Sequence, residues 1–371
     1  MYSSLSDSEL VGLLRLQRIP KIGDINAKKL LEYTGGILPL FNEKLTTLEK
    51  IDGLGKVMLK DFFNPVYLEE AEREFQYIKE NNIQYTYFKD EVYPKRLKHC
   101  IDAPILLFQD GNIDFGSKKV ISIVGTRQIT SYGQAFCESF MEEIAPLDPI
   151  IVSGFAYGID IAAQRAAMNH GLQTIACLAH GLNQIYPKAH KKYANAVLAN
   201  GGFFTEFWST SNPERENFLK RNRIIAGLSE ATIVVESADK GGSLVTADCA
   251  HSYNRDVFAV PGRVTDKFST GCNMLIKQQK AQLLSSAAEL VYLLGWDVEN
   301  KKDKHIQKQL FVDLNETEKS IYDYLQLNGK QLLDIVALEC NLPIFKTSST
   351  LLAMEMKGVI RPLPGKMFEA I

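Results

Sequence analysis

The chain has 371 residues, 46% hydrophobic and 23% charged, the makeup of a globular protein long enough for two or three domains. Its formal net charge of −2 excludes a surface coated in positive charge, so any nucleic-acid site has to be a local groove. The cysteines, at 100, 137, 177, 249, 272 and 340, form no Cys-x-x-Cys pair, and no run approaches the ~20 apolar residues of a membrane span. Buried thiols, no metal, no membrane partner and a cytoplasmic location are therefore expected.

Residues 1–82 read as a domain of short helices separated by glycine turns. Two turns are alike, Ile19-Pro20-Lys21-Ile22-Gly23 and Ile51-Asp52-Gly53-Leu54-Gly55, each followed by an apolar helical pattern. The spacing fits a helix-hairpin-helix pair, whose backbone amides can approach a phosphate, and fits a small helical bundle equally well.

Residues 83–296 alternate apolar strands with helices. The strands are Val120 to Val124, Ile150 to Val152, Thr174 to Leu178, Gly202 to Thr205, Thr232 to Val235 and Val257 to Val260. Runs this continuous in Val and Ile belong to strands buried on both faces of a parallel sheet, which predicts a doubly wound α/β fold with its ligand at the carboxyl ends of the strands. Residues 297–313 are polar and charged and read as a linker. Within 314–371, helices at Glu316 to Leu327, Leu332 to Leu338 and Ser348 to Lys357 precede a hairpin of Gly358 to Arg361 and Lys366 to Glu369, a winged-helix-like pattern that suits DNA or another protein.

Polar and glycine residues gather at the predicted strand ends. The first strand ends in Gly125-Thr126-Arg127, where a close backbone approach and a guanidinium suit a phosphate. The second ends in Ser153-Gly154, and a later one leads into Lys240-Gly241-Gly242-Ser243-Leu244-Val245-Thr246, where paired glycines open a helix. Between them lies NFLKRNRIIAGLS, residues 217–229, preceded by Arg215. Phe218, Lys220, Arg221, Asn222 and Arg223 there place an aromatic face among cations, which suits an unpaired base and its phosphates. The same segment also reads as an amphipathic helix with a solvated charged start. Asp160, Glu206 and Glu236 lie near strand ends, placed to act as acids or bases or, as carboxylates there commonly do, to hold loop and helix amides, and no metal-ligand spacing or nucleophile elbow marks a catalytic centre.

In order and spacing these segments resemble the DNA-processing protein A (DprA or Smf) family. The matching stretches are Tyr93-Pro94-x-x-Leu97, IVGTR with Ser131-Tyr132-Gly133, SGFAYGID, TIACLAHGL with Tyr186-Pro187, NFLKRNRIIAGLS, GGSLVTA, RDVFAVPG and Gly271-x-Asn273-x-Leu275-Ile276. The resemblance implies an extended Rossmann-like domain that binds single-stranded DNA, with helical and winged-helix-like flanks. It also implies a homodimer that protects incoming DNA and helps load the recombinase RecA in natural transformation, with no cofactor and no catalysis. By the same resemblance Arg127 holds a phosphate with Gly125 and Thr126, and Phe218 stacks on a base. Arg215, Arg221, Asn222 and Arg223 line the groove with Ser153 and Gly154, and Gly241, Gly242, Ser243 and Thr246 add backbone and hydroxyl contacts. Three positions depart from the pattern: Gly241 for a serine, Gln164 for a histidine and Lys280 for a glycine. The alternative, a phosphoribohydrolase of the LOG type, needs Gly-Gly-x-Gly-Thr-x-x-Glu, whereas this loop runs Gly241-Gly242-Ser243-Leu244-Val245-Thr246-Ala247-Asp248.

Overall fold

The computed structural model describes residues 5–296, 314–363 and 367–371. They fall into two compact units, Met1–Val298 and Glu299–Ile371. The predicted linker at 297–313 and Lys366 of the predicted hairpin lie outside the described residues.

The first unit opens with helix Asp7–Arg18, started by a reciprocal capping box between Ser6 and Glu9. Leu10, Leu13 and Leu14 are fully buried, and this apolar stripe packs with Ala71 and Ile78 of helix Pro65–Glu80. The two similar glycine turns precede helices Asp24–Thr34 and Lys56–Leu59, and the Lys29 ammonium reaches the Asp52 carbonyl at 3.4 Å. The helical core continues without a break into Ile105, Leu106 and Phe108 of the sheet region.

The sheet has nine strands: β1 (Gln84–Tyr87), β2 (Leu106–Gly111), β3 (Val120–Val124), β4 (Ile150–Ser153), β5 (Thr174–Cys177), β6 (Gly201–Thr205), β7 (Ala231–Val234), β8 (Asp256–Ala259) and β9 (Gln282–Leu283). Their order is β1-β2-β6-β5-β4-β3-β7-β8-β9, with β6 through β9 parallel and β1 and β2 added antiparallel at one edge. All six strands expected from the Val and Ile runs are present within a residue or so at each end. The antiparallel pair and β9 extend the sheet beyond these six strands.

Strand alternation feeds two cores. Val120 and Val124 point into one apolar cluster, while Ile121 and Ile123 point into another. Each such side chain contributes roughly 1.5–3 kcal/mol on burial, so Ile123→Ala would open a cavity on one face of the central strand. The chain winds from β3 outward through β4, β5 and β6, then returns to β7 on the other side of β3. The β3/β7 junction is therefore the switch point of a Rossmann-like sheet, the place where the first turns of neighbouring helices diverge and leave a crevice.

In the second unit, helices Glu316–Asn328, Leu333–Glu339 and Ile344–Met356 pack around Ile321, Leu325, Val336, Leu351 and Met354. A three-stranded sheet of β10 (Gln331–Leu332), β11 (Ile360–Leu363) and β12 (Met367–Ala370) completes it in the order β10-β12-β11. The third helix starts earlier than expected, because Pro343 supplies its N-cap and Ile344 and Phe345 begin it exposed. Among the described residues no helix is long and apolar enough to cross a membrane.

Candidate nucleic-acid interface

A groove of about 710 Å³ opens at the carboxyl ends of β3 and β7. Its first wall is the turn after β3. Gly125 is required there, since a Cβ would come within 2.4 Å of Ile159 Cγ1 and 2.9 Å of the Glu236 carbonyl. Thr126 N–H donates to that carbonyl at 2.7 Å, which ties the turn to the end of β7 and leaves the Arg127 side chain exposed.

The second wall is helix Arg215–Leu228. At 3.6 residues per turn, Arg215, Phe218, Leu219, Asn222 and Ile225 share one face, and all five line the groove. Phe218 is the centre of the arrangement. The Arg127 guanidinium lies 5.1 Å and the Arg221 guanidinium 5.8 Å from its ring centroid, and the Tyr186 ring sits 5.8 Å away at 58°. An aromatic face is thus held half-exposed between two cations.

The third wall is the loop Lys240 to Gly242 and helix Gly242–Ser252. That helix has no side-chain cap at its N-terminus, so its first amides and the positive end of its dipole face the groove. A Cβ on Gly242 would meet no atom within 4 Å, so the space beside it is open to a ligand. Ser243 Oγ donates to Ser237 Oγ at 2.9 Å, Thr246 is buried in the wall, and Asn222 Nδ2 donates to the Gly242 carbonyl at 3.3 Å, joining the second wall to the third.

Arg221 forms the floor. Its side chain is buried, and Nη1 donates to the Gly154 carbonyl at 2.6 Å and to the Cys177 carbonyl, bridging the ends of β4 and β5. Asp160 faces it. Burial raises the Asp160 carboxyl above the usual range, while Arg221 and the amides of Ala156 and Gly154 pull it back. The floor therefore carries a fixed guanidinium that cannot lose its proton.

The family model for DNA recombination-mediator protein A matches residues 84–295. The chain belongs to that family. It is 34% identical over 278 residues to Protein Smf of Escherichia coli, covering 74% of each chain. The X-ray structure of DNA processing protein A from Streptococcus pneumoniae superimposes with a TM-score of 0.65 at 31% identity, over 79% of this chain and 98% of that one. A Helicobacter pylori DNA processing protein A, whose structure concerns its unique single-stranded DNA binding mode, matches with a TM-score of 0.51 at 29% identity, over 57% of this chain and 95% of that one.

In this member of the DNA recombination-mediator protein A family the structure brings Gly125, Thr126, Arg127, Arg215, Phe218, Arg221, Asn222, Gly241, Gly242, Ser243 and Thr246 around one groove. Three expected residues lie elsewhere. Ser153 is buried beneath it, with Oγ donating to the Ile123 carbonyl at 2.6 Å, and Gly154 is the strand end on which Arg221 and Asp160 rest. A Cβ at Gly154 would come within 2.6 Å of Arg221 Nη1 and Nη2.

Arg223, expected in the groove, lies apart from it. Two residues beyond Arg221, it is turned about 200° around the helix, away from the groove. Its Nη2 pairs with Asp24 at 3.0 Å and with Glu206, beside a separate cavity lined also by Arg18, Trp208 and Lys220. Asp24 in turn accepts from Ile105 N–H at 2.8 Å, so Arg223 fastens the N-terminal helices to the sheet. Burial pushes Glu206 up to about 7 against the pull of Arg223.

Tyr186, Pro213 and Lys240 also line the groove and were not among the expected site residues. The Tyr-Pro dipeptide and the lysine before the paired glycines were the available signals. Glu236 accepts from Thr130 N–H at 3.0 Å and from its hydroxyl at 2.5 Å, the loop-holding role read for carboxylates at strand ends. Among the described residues no group of three or more His, Cys, Asp or Glu could hold a metal ion.

Proposed function

We propose that this chain binds single-stranded DNA in the groove at the β3/β7 switch point, with Arg127 and Arg215 on phosphates, Phe218 under an unpaired base, and the Gly241–Gly242 amides on a neighbouring phosphate. The observation that carries this reading is the half-exposed Phe218 ring flanked by the Arg127 and Arg221 guanidinium groups inside a groove closed by an uncapped helix start. A ring and fixed cations in one crevice are what stacking and phosphate neutralisation need together. The single-stranded DNA binding mode of the H. pylori relative supports the same ligand.

The role is protection of incoming DNA and help in loading the recombinase RecA during natural transformation, supported by the recombination-mediator family and its DNA-processing relatives. In this reading the protein acts in the cytoplasm as a homodimer and binds without catalysis. Its three-helix, three-strand tail serves as a winged-helix-like module beyond a linker. Titration of labelled single-stranded and duplex oligonucleotides of equal length at moderate salt tests the reading. A clear preference for the single strand is expected, because a duplex keeps its bases stacked away from Phe218. Equal affinity would reject it. Light scattering that finds a monomer at all concentrations would reject the dimer.

A further inference from the structure

Residues 161–205 contain neither Asp nor Glu, although the chain carries 44 acidic residues in 371. This acid-free segment includes Arg165, Lys191 and Lys192, all exposed and none with an ion-pair partner among the described residues. In a chain of net charge −2 such a patch is not a general property of the surface.

Aromatic rings are interleaved with these cations. The buried His190 donates its Nδ1–H to the Phe155 carbonyl, 2.9 Å away, and its ring stands edge-on to Tyr157 at 4.9 Å and to Tyr193 at 6.0 Å. Burial lowers its proton affinity, so it serves as a neutral plate that fixes both tyrosines. Arg165 lies 5.3 Å and Lys192 5.0 Å from the Tyr193 ring centroid, and Tyr157 is 46% exposed.

The patch is continuous with the groove. Ala156 and Tyr186 both line the groove, and each leads directly into the patch, to Tyr157 and to the turn carrying His190. Gly158 packs so closely that a Cβ would come within 2.7 Å of Arg127 Cα. We infer that a single strand held in the groove continues across this surface, with Tyr157 and Tyr193 meeting further bases and Arg165, Lys191 and Lys192 further phosphates. The inference rests on the groove reading and extends its footprint. Charge placement agrees with it: Lys191 and Lys192 begin helix Lys191–Ala199, where the helix dipole disfavours cations and a phosphate would offset them.

The test uses the full chain and oligothymidylates of about 6 and about 20 nucleotides, one short enough for the groove alone and one long enough to cross the patch. In Lys191→Ala/Lys192→Ala the short oligomer should bind as to the parent. The long one should bind about tenfold more weakly, with a log-log salt slope shallower by about 1.4. Tyr157→Ala should weaken only the long oligomer and leave its salt slope unchanged. Lys191→Arg/Lys192→Arg should restore parental binding. If the double alanine variant binds the long oligomer like the parent at every salt concentration, the patch is not part of the path, while the groove reading stands. A parent that binds neither length overturns the groove reading, and the extension falls with it.

Discussion

The two faces of helix Arg215–Leu228 carry the same residue types to opposite ends. On the groove face, Arg215 is exposed and Phe218 half-exposed, so their charge and ring surface remain unspent. On the other face Arg223 is consumed by Asp24 and Glu206, and its charge holds the N-terminal helices against the sheet. Arg221 stands between these cases, bound to two carbonyls yet with its guanidinium over the Phe218 ring. A cluster of arginines in sequence is therefore not a cluster in space: the helix turn divides it into a groove set and a structural set.

The structural face carries the largest expected effect on stability. Arg223→Ala leaves the half-buried Glu206 and Asp24 beside one another without their cation and should cost about 3 kcal/mol in stability, measured by urea unfolding. The folded variant should bind single strands like the parent, because the residue faces away from the groove. A variant of parental stability with weakened binding would reverse the assignment of the two faces.

Glu206→Gln sharpens the same point through pH. Because Glu206 is raised from 4.5 to about 7 in the folded protein, the native state holds that proton more tightly than the unfolded chain does. Its contribution is full below about pH 4.5 and is lost as pH rises through 7. The parent should therefore lose stability relative to Glu206→Gln over this window, by on the order of a few kcal/mol. Parallel pH–stability curves for the two proteins would contradict the burial argument.

A smaller effect is expected on the groove side. Lys240→Ala should leave stability unchanged and reduce the log-log salt slope of single-strand binding by about 0.7, the share of one phosphate contact. An unchanged slope would remove Lys240 from the path of the strand.

Much of this architecture is legible in the sequence because physical requirements repeat along it. The parallel strands announce themselves through Val and Ile runs, since burial on both faces allows no polar alternation. The glycine turns at Gly125 and Gly241 are visible because backbones must approach there. The antiparallel β1 and β2 are hidden, since Gln84–Tyr87 mixes polar and aromatic residues at a sheet edge and Leu106–Gly111 ends exposed. The site is legible as a set of segments and not as a register. The sequence shows three arginines near Phe218, but only the helix phase distinguishes the groove floor at Arg221 from the ion pair at Arg223. Tyr186 and Lys240 escaped because each is a single loop residue whose position depends on elements distant in the chain.

If ring and charge act separately within one groove, salt-dependent titration of a single-stranded oligonucleotide against the parent, Phe218→Ala and Arg127→Ala separates them. Phe218→Ala should weaken binding by about 1–3 kcal/mol with its salt slope nearly unchanged, since stacking displaces no counterion. Arg127→Ala should weaken binding and flatten the slope by about 0.7. Circular dichroism and gel filtration establish that both variants keep the parent's fold and assembly. Parental affinity for folded Phe218→Ala at every salt concentration would contradict the stacking role and leave Phe218 as a packing residue of its helix.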